Sequence, residues 1–98
     1  MDPGDVEWHE PKRAANIAKH GIDFEDAAGI WHGPVANRQS SHPGEPRFIT
    51  LGQMDQRIIA VVWTLRGDRR RLISARMART HERLCYTAFL ARPGQRPH

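Results

Sequence analysis

The chain holds one cysteine, Cys85, and no apolar run near the roughly 18 residues that a membrane helix needs. A lone cysteine cannot close an internal disulfide, so nothing in the sequence asks for an oxidising compartment. The six histidines (His9, His20, His32, His42, His81 and His98) show no zinc-like pairing and have no cysteine cluster beside them. Neither a metal nor a cofactor is therefore expected. Glycine-rich phosphate loops, repeats and low-complexity tracts are also missing. Met1 runs into acidic Asp2 and Asp5, unlike a secretory leader, so the cytoplasm is the expected compartment, without membrane association. What remains is a chain of 98 residues, 39% hydrophobic, with a mean hydropathy of −0.66. That suffices for one modest core, read as a single domain over 1–91 and a flexible tail over 92–98.

Acids are scarce where bases are dense. The formal net charge is +4 and the isoelectric point is near 10.2. Residues 1–30 carry seven acids against three bases, whereas residues 57–83 carry eight arginines against Asp68 and Glu82. Such a separation creates a field that attracts polyanions, and the planar fork of arginine matches phosphate oxygens. Composition thus points to a phosphate-rich or acidic partner, without choosing between nucleic acid and protein.

Apolar spacing gives an α+β order, β-α-α-β-β-β-β-α. Val6-Glu7-Trp8 alternates like a short strand. Pro11 suits the first turn of a helix whose stripe is Ala14, Ala15, Ile17 and Ala18. Lys19 and His20 then sit at the negative end of its dipole, and Gly21 stops it. Asp23 caps a second helix, with Asp26 in a capping-box position and Phe24, Ala27, Ala28 and Trp31 inward, before Gly33-Pro34 ends it. A weak strand near Val35-Ala36 gives way to a loop over 40–46. A meander follows: a strand over 47–51, a turn over 52–56, and a central apolar strand over 57–65. Gly67-Asp68 reads as a two-residue type II′ turn into a returning strand that ends near Met77. Thr80 caps a last helix, with Leu84, Cys85, Ala88 and Phe89 facing inward.

The returning strand contains a conflict. With a two-residue turn, Arg66 opposes Arg69, Thr64 opposes Arg71 and Val62 opposes Ile73. One face then carries Ile58, Ala60, Val62, Ile73, Ala75 and Met77. The other carries Ile59, Val61, Trp63, Leu65, Arg70, Leu72, Ser74 and Arg76. A three-residue turn would shift this register by one. In either case Arg71 and Arg76 differ in parity and leave a regular strand on opposite faces. Both can serve one site only if Arg76 lies at a strand end or beyond a bulge.

Several spaced motifs resemble one family. Glu7-Trp8, Lys12, Asn16, Lys19-His20-Gly21-Ile22, Phe24 and Ala27 join with "RFITLG" (47–52), Val62, Thr64 and Arg66, "RLISAR" (71–76) with Ala78, and Thr80, Glu82, Arg83 and Tyr86. In this order and spacing, over roughly 7–86, the chain is similar to the BrnT family of bacterial toxins. It departs in having His9-Glu10-Pro11 where Asp-Pro is common, which removes the usual helix cap. The resemblance implies a RelE-like fold, an antiparallel sheet with helices, and a metal-independent endoribonuclease that blocks translation by cutting RNA. It also implies a BrnA-like antitoxin partner that carries a DNA-binding domain, in a complex with two copies of each chain.

Cutting RNA without a metal needs a group to take the 2′-OH proton, charge to steady the phosphoryl oxygens, and a donor for the leaving 5′-oxygen. Arginine supplies only the second well. His20, because histidine is the residue type suited to trading protons at neutral pH, and Lys19 are the candidate proton handlers, and Arg66 and Arg76 the candidate charge clamps. Lys12, Arg69, Arg70, Arg71 and Arg79 are expected to hold RNA. Glu82 and Tyr86, one turn apart on the last helix, could aid proton transfer but are read first as helix-surface residues, and Cys85 as core. A non-catalytic nucleic-acid-binding module, or a protein-interaction subunit, would use the same basic surface.

Overall fold

A computed structural model describes residues 5–40 and 43–92. Its elements are β1 (Asp5–Glu7), α1 (Glu10–His20), α2 (Phe24–Ala27) running into a 3₁₀ turn (Ala28–His32), β2 (Ala36–Ser40), β3 (Arg47–Met54), β4 (Arg57–Arg66), β5 (Arg69–Met77) and α3 (Thr80–Ala91). The strands form one sheet in the order β1-β5-β4-β3-β2. The fold is α+β, as the sequence pattern indicates. The sheet is antiparallel except at one edge, where β1 runs parallel to β5. A helix separates β1 from the meander, so the chain returns to that edge in the same sense instead of by a hairpin.

Each face of the sheet buries a different set of helices. On one, Ile22, Phe24, Ala27 and Ile30 pack on Ile59, Val61, Trp63, Leu72 and Ala75. On the other, Tyr86 of α3 is buried with Leu51 and Ala60, and Ile49, Ile58, Phe89 and Leu90 pack against that cluster. Fully burying side chains such as Ile59 or Phe24 contributes on the order of 2 kcal/mol each. Because α3 covers only one end of its face, the rest of that face is open to solvent.

Local details both follow and correct the sequence pattern. Gly21 ends α1 in the left-handed conformation, at φ 71°. His9 takes the cap position without a side-chain bond, as the missing Asp would suggest. Asp23 caps α2 by accepting from the Glu25 N–H, and its carboxylate also takes both Nε (2.7 Å) and Nη2 (2.8 Å) of Arg13. Those bonds, led by Arg13, hold the Asp23 carboxyl at about 2. The strand expected to stop at Leu51 runs on to Met54, and its turn shrinks to Asp55-Gln56. Within that strand position 52 is glycine because a Cβ there would meet the Ile30 side chain, so the helical layer sits directly on the backbone.

The inward face of α3 is the main correction. Glu82 and Tyr86 are buried, whereas Leu84 and Cys85 are exposed. A carboxylate pairing beneath the helix sets its rotation, outweighing the apolar stripe. Of the tail expected over 92–98, all but Arg92 lies outside the described residues.

Candidate active site

The β4–β5 hairpin places the candidate residues. Its turn has two residues, and Gly67, at φ 62°, supplies the positive angle that a type II′ turn needs first. Arg66 faces Arg69, Thr64 faces Arg71 and Trp63 faces Leu72, as the two-residue register requires. The ladder then slips: Val62 pairs with Ser74, Val61 with Ala75 and Ala60 with Arg76. Ile73 is the extra residue of a β-bulge. The bulge reverses parity, so Ser74 and Arg76 join the face of Thr64 and Arg71, while Ala75 and Met77 cross to the face of Ile59. Arg71 and Arg76 thus leave one sheet face, five positions apart. The expected placing of Ile73, Ala75 and Met77 together with Ala60 is corrected for the same reason.

Cross-strand pairing extends this face into rows. Ser40 pairs with Arg47, which sits beside Thr64, and Thr64 pairs with Arg71. In the next row Arg38 pairs with Ile49, Ile49 with Val62, and Val62 with Ser74. The open face therefore carries Arg38, Arg47, Arg66, Arg69, Arg71 and Arg76 on four strands. Two adjoining clefts border it. One, of about 170 Å³, is lined by His9, Lys12, Glu45, Arg47, Thr64, Arg66 and Arg71. The second, of about 230 Å³, is lined by Lys12, Asn16, Lys19, His20, Ile73 and Ser74. Lys12 and the bulged Ile73 belong to both.

One amide holds α1 against this edge. β1 pairs with β5 only from Arg69 to Arg71, leaving later backbone groups of β5 without a strand partner on that side. Asn16 fills the gap: its Nδ2 donates to Ala75 O (2.9 Å) and its Oδ1 accepts from Ala75 N–H (3.1 Å). Its second amide hydrogen goes to Ile22 O at 2.9 Å. Lys12, Lys19 and His20 are thereby carried to the rim by a buried anchor.

The arginines differ in how far their charge is already matched. Arg76 meets Glu82 through two bonds of 2.8 and 3.0 Å. Glu82 also accepts from the Arg79 N–H at 2.8 Å, and Arg38 lies 3.7 Å away. This carboxyl is only 2% exposed, and its bonds, that of Arg76 first, hold it down at about 2. Arg71 bonds Glu7 at 2.7 Å, and Arg69 lies near Asp5 and Glu7. Arg66 and Lys12 have no ion-pair partner among the described residues. Lys19, at the rim, has none among these residues either, while Arg47 is matched by Glu45, 3.5 Å away.

Of the residues proposed from sequence, Lys12, Lys19, His20, Arg66, Arg69, Arg71 and Arg76 are brought to this face or its rim. Arg79 stands at the head of α3. Arg70 is not with them: it is buried on the opposite face, its guanidinium 4.2 Å from the Trp31 ring centre and 5.3 Å from that of Trp63. Its parity puts it there, where it makes cation–π contacts apart from the face on which the other candidates gather. Sequence reasoning missed Arg38, Arg47 and His9. Arg38 and Arg47 become visible only once the Asp55-Gln56 turn fixes the register of β3 on β4. Among the described residues no group of His, Cys, Asp and Glu is arranged to hold a metal.

The model for the family described as "Ribonuclease toxin, BrnT, of type II toxin-antitoxin system" matches residues 8–82. The chain belongs to the BrnT family. Among solved structures it is similar to the crystal structure of the Brucella abortus ribonuclease toxin BrnT, with 31% identity and a TM-score of 0.60. That alignment covers 78% of this chain and 97% of the Brucella toxin. No curated protein matches significantly. As a BrnT family member, the chain has its arginine face, its anchored α1 and its bulged β5 all within the matched span.

Proposed function

We propose that the chain is the toxin of a type II toxin–antitoxin system and cuts RNA at the open sheet face without a metal. The observation that carries this reading is the bulge at Ile73, which gathers Arg71 and Arg76 with Arg66 on one face beside Lys12, Lys19 and His20. A phosphate held by Arg66, Lys12 and Arg71 would gain the charge neutralisation that a pentavalent phosphorus needs. His20 or Lys19 takes the 2′-OH proton as its oxygen attacks the adjacent phosphorus, and the other returns a proton to the departing 5′-oxygen. Arg76, already paired with Glu82, braces the face more than it binds.

RNA loss then arrests translation in the cytoplasm, on a scaffold of RelE-like type. A BrnA-like antitoxin covers the site within a complex of two toxins and two antitoxins. The test combines two measurements. Expression of the chain alone should arrest growth, with relief on co-expression of the antitoxin encoded beside it. Purified protein should cleave RNA in EDTA. RNA that is bound but left intact would favour a non-catalytic binding module instead, and normal growth with unbound RNA would end the proposal.

A further inference from the structure

The centre of the open face is apolar. Ile49 and Val62 pair across β3 and β4 and are half-buried, Ile49 packing on one side against the Leu51–Ala60–Tyr86 cluster. Around them stand Arg38 beside Ile49, Ser74 beside Val62, the row of Arg47, Thr64 and Arg71 on one side, and Arg76 on the other. Two aliphatic side chains cannot satisfy a phosphate, yet cations and hydroxyls frame them closely. Strands lie about 4.8 Å apart, so from β2 to β5 the framed face spans about 14 Å, the scale of a short nucleotide stretch rather than a single anion.

We propose that Ile49 and Val62 form a seat for a nucleobase, and that RNA crosses this face as a single strand with phosphates on the flanking arginines. This rests on the ribonuclease reading above and adds the substrate class. A base within a duplex has both faces stacked and cannot lie on the seat, whereas single strands offer their bases to such platforms. Arg38 is then a phosphate contact away from the bond that is cut, whereas Arg47 lines the cleft of Lys12, Arg66 and Arg71. An acidic protein strand could also meet the arginines, but cations on two sides and at one corner of a two-residue apolar centre (Arg38, then Arg47 and Arg71, then Arg76) fit a base with phosphates before and after it.

The probe is a fluorescent 12-nucleotide 2′-deoxy strand, which lacks the attacking hydroxyl, compared with the same strand annealed to its complement. The single strand should bind at least tenfold more tightly than the duplex, although the duplex carries more charge. Ile49→Phe, which enlarges the platform on a strand that favours aromatics, should tighten single-strand binding by about fivefold, as base–aromatic stacking would. Ile49→Ser should weaken it by a similar factor with native circular dichroism. Equal binding of strand and duplex, or affinity unmoved by either substitution, would overturn the proposal. So would Ile49 variants that weaken only antitoxin binding, since the seat would then serve a protein. RNA of the same sequence, single-stranded and paired, is incubated in parallel. Failure to cut either form counts against the ribonuclease reading, while equal cutting of both forms counts against the single-strand inference alone.

Discussion

Glu82 shows why residue identity alone misleads at this site. On a helix with apolar neighbours it looks like a solvated acid, yet it is buried under α3 and receives Arg76, the Arg79 N–H and the field of Arg38. Its folded pKa, about 2, lies below the ordinary carboxylate value of 4.5. Its contribution is thus fully present above about pH 4.5 and is lost as pH falls toward 2, amounting to about 3 kcal/mol by linkage. Glu82→Gln should lower stability at pH 7 by about 3 kcal/mol, because it leaves Arg76 charged and poorly matched. It should also flatten the acid limb of the unfolding curve between pH 5 and 2, relative to the native chain. Urea titrations at several pH values check both. An acid limb identical in the two proteins would show that Glu82 is not held as described.

Elements, not single residues, decide which arginines meet. Gly67-Asp68 was legible because a two-residue turn has a strict local signature, and so was the end of α1 at Gly21. The bulge at Ile73 had no such signature, since Leu72-Ile73 reads as regular strand. Only the demand that Arg71 and Arg76 share a face pointed to it. The rotation of α3 was misread because Leu84 and Cys85 look like a stripe, while the Arg76–Glu82 pair that fixes the helix joins two elements. Asn16 stood in the spaced motif without an evident role, which appears when β1 is seen to stop short and expose Ala75. Asn16→Ala should leave both backbone groups of Ala75 without their partner and cost about 2–4 kcal/mol. In a domain of this size that corresponds to a melting temperature lower by roughly 10 °C or more. Calorimetry checks this; a shift of only a degree or two would mean the edge is closed by other means.

Over the whole molecule, charge was readable early and its placing was not. The basic second half does supply the face, but Asp5 and Glu7 on β1 return to neutralise Arg69 and Arg71 at the parallel edge. Net charge therefore overstates what is available for RNA. Arg66, Lys12 and Lys19, helped by the exposed Arg38, leave about three or four effective phosphate contacts. For a single strand, the slope of log affinity against log salt should then be about −2 to −3. A slope near −6 would mean that the paired arginines also release their acids to bind RNA, and a slope near zero would exclude phosphate contacts.

In the proposed function the bulged sheet face cuts RNA, with Arg66 as its exposed charge clamp. The most direct measurement is the initial rate of RNA cleavage in EDTA by the native chain and by Arg66→Ala. Arg66 is exposed and has no ion-pair partner among the described residues, so the substitution should leave the melting temperature within about 2 °C. Arg66→Ala should lose about a hundredfold or more in rate with native circular dichroism. Equal rates from the two proteins would contradict that function for the face.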